Sequence, residues 1–422
     1  MIIQNSLDYS ELLYVILIYP ARLTEARIRG LFWVIPNKYI DTYFFKHIIA
    51  SMIIKRSIKP EIIEALSDKK IIIIYGARQV GKTTLIKEIL RDIPNSAYFS
   101  CDEPDVREAF TDKTSSGMKS FIRGATTVAL DEAQRINNIG VSLKLLHDTF
   151  PELTIIATGS SSFDLANKTA EPLTGRNISF NLFPISFSEY ADAVGEREAI
   201  RLTEERLRYG MYPAVITSSN PEQEIKLLTR DYLFKDVLRV ENIRKPIVVE
   251  KLAKLLAFQA GQEVSYNEIA QKLEISRQTV MSYVRLLEQS FIIFRLPPLG
   301  KNLRNEVTRF EKIYFYDTGI RNAIIGDFSL LDGRFDKGAL FENFFISERL
   351  KFYQRLPYDI KQYFWRTKDG SEMDLVEESR QGLLAYECKW KGQTILTRAW
   401  KNSFPNAEAT LVNKDNIEQY IL

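Results

Sequence analysis

The apolar and polar pattern of this chain is organised around the stretch that begins at residue 71. Ile71-Ile72-Ile73-Ile74-Tyr75 is an unbroken, mostly β-branched run. It reads as a strand buried on both faces, the habit of a parallel sheet. Further short apolar runs occur from Ser96 to Ser100, Thr126 to Glu132 and Thr154 to Ser160. Between them, Arg56 to Leu66 looks helical, and Ile139 to Phe150 repeats its apolar positions at helical spacing through Val141, Leu145 and Leu146. Strands alternating with helices predict a parallel α/β sheet whose ligands sit beyond the carboxyl ends of the strands.

The pattern then changes. Residues 186 to 260 read as helical and irregular, with an amphipathic helix from Ile247 to Gln259. Ser265 can cap a short helix through Ile269, Ala270 and Leu273, with Glu268 completing a capping box. Ser276 can cap a second helix with Val280, Val284 and Leu287 on one face and Gln278, Ser282, Arg285 and Gln289 on another. Phe291 to Leu296 reads as a strand closed by Pro297-Pro298. Helix, turn, helix and strand predict a winged helix-turn-helix, a form that serves DNA or protein partners. Beyond Tyr314, Leu340 to Phe345 opens an apolar helix. Gln362 to Arg366 and Glu372 to Val376 then form a hairpin around Asp369-Gly370, and Leu383 to Trp390 is a further strand.

At 422 residues, several domains are expected, and 45% hydrophobic with 26% charged residues describes a globular protein. The expected boundaries are an extension over 1–51, an α/β core over 52–185, a helical lid over 186–260, the winged helix over 261–312, and a C-terminal domain over 313–422. A net charge of +3 means that any nucleic-acid contact must come from local patches. Two cysteines, Cys101 and Cys388, build no disulfide scaffold and fit a reduced, cytoplasmic setting. Two histidines leave no room for histidine-rich metal sites or His-based triads. In the extension, Leu12 to Tyr19 is apolar but too short to span a bilayer, so no integral membrane segment is expected. The extension is read as non-catalytic, with a peripheral membrane anchor as the alternative.

The chemistry starts where the first strand ends. Gly76-Ala77-Arg78-Gln79-Val80-Gly81-Lys82-Thr83-Thr84 is a G-x-x-x-x-G-K-T loop leading into a helix. Such a loop turns backbone N–H groups inward to cradle phosphate oxygens, and the helix N-terminus adds positive potential. Lys82 would reach the β- and γ-phosphates of ATP, and the Thr83 hydroxyl would ligate Mg²⁺. Asp131 ends a later strand where it can share that metal, and Glu132 can polarise the attacking water. Thr158 and Ser160 are candidates to sense the γ-phosphate.

These motifs, with Pro172-Leu173-Thr174-Gly175-Arg176, Leu182 to Tyr190, Tyr209-Gly210-Met211-Tyr212-Pro213 and Tyr316-Asp317-Thr318-Gly319, resemble the prokaryotic AAA-type ATPases that carry an uncharacterised C-terminal domain. The resemblance covers nearly everything after Met52. It implies ATP binding and hydrolysis, and it allows a homo-oligomer. By that likeness Arg176 would contact the γ-phosphate in its own or a neighbouring subunit; a structural arginine after a glycine turn is the other reading.

In the C-terminal domain, alternation puts Glu387 and Lys389 on one face of a strand. With Glu342 and Asp374 upstream, the order resembles the restriction-endonuclease-like superfamily. That likeness implies an Mg²⁺ held by Asp374 and Glu387, with Lys389 steadying water or phosphate and Glu342 in support. Two functions therefore stand side by side. One is an Mg²⁺-dependent ATPase coupled to a DNA-binding or nuclease-like module. The other is an ATP-gated scaffold for protein partners.

Overall fold

The computed structural model describes residues 53–159, 173–231, 246–300, 311–354, 360–392 and 398–422. The extension, Ser160 and Pro172 lie outside them. Strands β1 (Ile71–Tyr75), β2 (Ser96–Ser100), β3 (Thr127–Asp131), β4 (Thr154–Gly159) and β5 (Asn177–Asn181) form one sheet in the order β2-β3-β4-β1-β5. Every pairing in it is parallel. All five residues of β1 and of β3 are buried, because helices cover both faces. Each fully buried isoleucine of β1 contributes about 2 kcal/mol over an exposed one, so a charge at Ile73 would break the sheet at its centre. The edge strand β5 was not foreseen: Asn-Ile-Ser-Phe-Asn is mostly half-exposed and lacks the apolar density of a central strand.

After the sheet come five short helices, beginning with Phe187–Val194 and ending with Pro221–Thr229. Ser186 and Glu189 form a reciprocal capping box at the first of them. The following helix Pro246–Phe258 is the amphipathic helix predicted there.

Helices Tyr266–Leu273 and Arg277–Gln289 are capped by Ser265 and Ser276, whose hydroxyls accept from Glu268 N and Thr279 N. Strands β6 (Glu263–Val264), β7 (Ile293–Leu296) and β8 (Glu311–Phe315) form an antiparallel sheet in the order β6-β8-β7. The boundary expected between 312 and 313 therefore runs through a paired strand. The lid boundary at 260 likewise separates helix Pro246–Phe258 from this unit, although Val249, Leu252 and Leu256 share its core.

Two sequence motifs left without a role meet here. Asp317 accepts hydrogen bonds from Met211 N (2.6 Å) and Ile320 N (3.1 Å). A Cβ on Gly319 would stand 2.0 Å from the Tyr209 carbonyl oxygen, so helix Thr318–Ile325 can approach helix Thr203–Tyr209 only without one. Tyr209-Gly210-Met211 and Asp317-Thr318-Gly319 are thus two halves of one backbone joint.

The C-terminal sheet runs β12 (Glu408–Val412), β11 (Gly382–Cys388), β10 (Glu372–Ser379), β9 (Lys361–Arg366), with β11 and β12 parallel and the rest antiparallel. Helix Lys337–Tyr353 packs on one face, where the Phe345 and Tyr386 rings lie 5.3 Å apart. Trp400 packs against Trp365 at 5.1 Å in a separate cluster with Val376 and Ala385. Among the described residues no helix is long and apolar enough to cross a membrane.

Candidate functional site

The phosphate loop joins β1 to helix Lys82–Arg91 at the carboxyl edge of the parallel sheet. A Cβ on Gly76 would lie 2.3 Å from the Leu182 carbonyl oxygen, so the turn out of β1 admits only glycine. Gln79 and Gly81 both take left-handed backbone angles, at φ 61° and 99°. The Lys82 ammonium is buried and donates to the carbonyls of Gly76 and Ala77, each at 2.9 Å. Burial lowers its pKa to about 8, against the pull of Glu132 and Asp131.

Asp131 is 3% exposed and accepts from three hydroxyls. Thr83 Oγ1 (2.6 Å) and Tyr98 Oη (2.7 Å) share one carboxylate oxygen, and Thr158 Oγ1 (2.5 Å) takes the other. A hydroxyl and a carboxylate in contact at a helix start fit Mg²⁺, which takes few protein oxygens and completes its shell with water and phosphate. Glu132 stands next to this pair in a left-handed conformation, φ 57°. Its N–H donates to Thr158 Oγ1 (3.0 Å), its Oε2 accepts from Gln134 Nε2 (2.5 Å), and its Oε1 lies 3.9 Å from the Lys82 ammonium. Thr158, expected to face the γ-phosphate, is instead fully buried with its hydroxyl engaged by Asp131 and Glu132. It fixes the acids.

One expectation for Arg176 is corrected. Its carbonyl accepts from Ile71 N (2.9 Å), and Asn177 pairs with Ile71, so Arg176 sits where β1 begins. The phosphate loop leaves the other end of β1, about 13 Å away at the usual rise per strand residue. Contact with the γ-phosphate of its own subunit is therefore ruled out; the side chain instead pairs with Asp148 at 2.8 Å.

Sequence reasoning also missed Arg56. The guanidinium donates to the Val80 carbonyl of the phosphate loop (2.7 Å), to the Phe183 carbonyl (2.6 Å) and to Glu189 (3.2 Å). Burial of Glu189 opposes its charge, but Arg56 and hydrogen bonds from Ser186 and Ser57 hold its pKa below the usual value. Tyr98 was missed as well. Its side chain is one of an alternating strand, and nothing local to β2 marks it as facing Asp131.

The C-terminal acids converge, but around a cation that sequence reasoning did not consider. Lys312, on β8, is 2% exposed. Its ammonium pairs with Glu372 at very short range and lies 3.4 Å from Glu342 and 3.7 Å from Asp374. Burial opposes its charge, and Glu342, Asp374 and Glu372 together outweigh burial and raise its pKa. Glu342 accepts from Tyr314 Oη (2.6 Å), and burial and then Asp374 push its pKa up to about 8. Burial and the neighbouring Asp374 favour the protonated form of Glu342, while Glu372 also has the Arg366 guanidinium at 3.8 Å. Asp374 accepts from Cys388 N (2.7 Å), and extending the β10–β11 register by one step sets Asp374 opposite Glu387. Lys389 pairs with Glu387 at 3.1 Å. Among the described residues no group of three or more His, Cys, Asp or Glu is arranged to hold a metal ion.

Comparison with known proteins agrees with the division seen in the fold. Residues 68–191 match the family model of an AAA domain. Residues 200–330 and 337–416 match two domains of unknown function, DUF8612 and DUF4143. An uncharacterised protein of Mycobacterium tuberculosis is 28% identical over 367 residues, covering 84% of this chain and 78% of the relative. An uncharacterised protein of Methanocaldococcus jannaschii is 28% identical over 302 residues, covering 61% of this chain and 62% of the relative. The Walker-type ATPase of Pyrococcus abyssi has a TM-score of 0.43 and 16% identity over 64% of this chain and 96% of its own. The phosphate loop and the paired strand-end acids lie within residues 68–191, the region that is similar to an AAA domain.

Proposed function

We propose that this protein is an Mg²⁺-dependent ATPase whose nucleotide cycle acts on a DNA-facing module. The observation that carries the ATPase reading is the meeting of Lys82, Thr83, Asp131 and Glu132 at one edge of the parallel sheet. ATP phosphates would replace the Gly76 and Ala77 carbonyls as partners of the Lys82 ammonium, whose pKa burial lowers. Thr83 and Asp131 would hold Mg²⁺, which would supply charge neutralisation for the phosphate groups. Glu132 would orient and deprotonate the attacking water, its own carboxylate steadied by Gln134. Arg176 would serve the nucleotide of a neighbouring subunit in a homo-oligomer.

For the DNA-facing part, the support is the arrangement of helix Arg277–Gln289 with the β6-β8-β7 sheet, a winged helix-turn-helix order. Gln278, Ser282 and Arg285 are exposed on its outer face, as groove contacts require. The ATP-gated scaffold stays as a second reading because Met281, 43% exposed, lies on the same face and suits a protein partner. ATP turnover with and without single- and double-stranded DNA, at several salt concentrations, separates the two. Stimulation that fades steeply with salt supports DNA, and turnover indifferent to DNA supports the scaffold.

A further inference from the structure

The acid pocket of the C-terminal domain lies where two modules join. Lys312 belongs to β8 of the three-stranded sheet, whereas Glu372 and Asp374 belong to β10 and Glu342 to helix Lys337–Tyr353. The join is covalent in sequence and tight in space. The N–H of Leu299 donates to the Phe364 carbonyl (2.6 Å), and that of Phe364 donates back to the Pro297 carbonyl (3.0 Å), so β9 pairs in parallel with the segment leaving β7. A Cβ on Gly261, which precedes β6, would stand 2.9 Å from Glu342 Oε1. The Lys312 ammonium also lies 5.4 Å from the centre of the Phe364 ring.

We propose that the Lys312 ammonium occupies the place a divalent metal would take in this pocket, so that the Glu342, Glu372 and Asp374 carboxylates serve as the clamp between the C-terminal domain and the helix-turn-helix unit and do not cleave nucleic acid. Oxygen ligands must close to about 2–2.6 Å around Mg²⁺, Mn²⁺ or Ca²⁺. Here the oxygens stand around a nitrogen that already carries the charge, and a second cation among them would meet it at contact distance. The donors for a metal are nonetheless present. One oxygen of Glu387, Oε2, is buried without a hydrogen-bond partner, and the register sets its residue opposite Asp374. Removing the ammonium should therefore turn the clamp into a divalent-cation site. This inference is independent of the ATPase reading.

The test uses the full chain without nucleotide, with Mn²⁺ binding followed by electron paramagnetic resonance. Lys312→Met should lower the Tm by about 5 °C or more, because three carboxylates lose their counter-charge. It should bind one Mn²⁺ at least about tenfold more tightly than the parent and regain part of the lost Tm on binding. Adding Asp374→Asn to Lys312→Met should abolish that gain. Asp374-dependent Mn²⁺ binding by the parent, or parent nicking of plasmid DNA with Mn²⁺ that Asp374→Asn removes, overturns the proposal. So does a Lys312→Met protein that folds but binds no Mn²⁺. If Lys312→Met does not fold, the charge-matched Lys312→Met/Glu342→Gln/Glu372→Gln decides. Folding near the parent Tm supports a charge clamp, and failure to fold rejects it.

Discussion

The buried lysines Lys82 and Lys312 both face carboxylates, and their surroundings are opposite. Lys82 is held by two backbone carbonyls, with one acid at 3.9 Å and another whose lone pairs are already engaged by three hydroxyls. Lys312 is held by three carboxylates. The first ammonium loses part of its proton affinity to burial; the second gains, because its acids outweigh burial. A lysine whose hydrogen-bond partners are neutral carbonyls is prepared for an incoming anion. One surrounded by carboxylates already has its counter-charge and holds protein to protein. The same residue type, equally dry, thus makes a ligand site in one domain and a joint in another.

The comparison can be broken most directly at Lys82. Lys82→Ala should weaken ATP binding by about a hundredfold or more, since two charge-assisted contacts to phosphate disappear. Glu132→Gln should keep binding and lower kcat by about 10²–10⁴-fold. Calorimetry on the first and single-turnover hydrolysis on the second check both, and parent-like turnover by Glu132→Gln would remove that residue from the mechanism.

Arg56–Glu189 is the balanced case between those extremes, one buried cation to one buried anion. Arg56→Ala should cost about 3 kcal/mol in chemical unfolding, as it leaves Glu189 unpaired. It should also raise the KM for ATP, because the Val80 carbonyl loses its tether. A stability loss with an unchanged KM would show that the tether does not shape the loop.

Next in size is a pH effect. Glu342 titrates near 4.5 when unfolded and is pushed up to about 8 in the fold, so the native state holds the extra proton between those values. Stability should then fall as pH rises through that window, by a few kcal/mol at most. Glu342→Gln should flatten the fall, measured as unfolding free energy against pH for the two proteins. Parallel curves would mean that the pocket does not keep the proton.

The smallest effect belongs to the surface. Arg285 is exposed. Arg285→Ala should leave the Tm within about 1 °C and reduce the slope of log affinity for DNA against log salt by about one. An unchanged slope would favour the protein-partner reading of that helix.

Much of this could be read from the chain in advance, and the reason is locality. The phosphate loop, Asp131 and Glu132 each sit at a strand end within a contiguous apolar-to-polar step. The capping residues Ser265 and Ser276 announced their helices for the same reason: a cap bonds only three residues away. The C-terminal hairpin was equally plain, with Gly370 in its turn at φ 86°. Less was legible where partners are distant. Arg56 meets Glu189 across 133 positions, and Tyr98 meets Asp131 across 33. The Arg176 expectation failed because a motif order carries no information about which end of a strand a residue occupies.

What sequence alone determined was therefore the central strands of the parallel sheet and the phosphate-loop motif, since strand, glycine loop and helix N-terminus act over a few consecutive residues. Tertiary structure decided which charge answers which. Glu342 and Asp374 both lie near the ammonium of Lys312, a residue of a neighbouring sheet that no sequence pattern linked to them. In the strand Glu311-Lys312-Ile313-Tyr314-Phe315 that lysine looks like any solvated polar position. Only packing of β8 against helix Lys337–Tyr353 and β10 buries it, and a Coulomb interaction depends on distance through the folded molecule rather than along the chain.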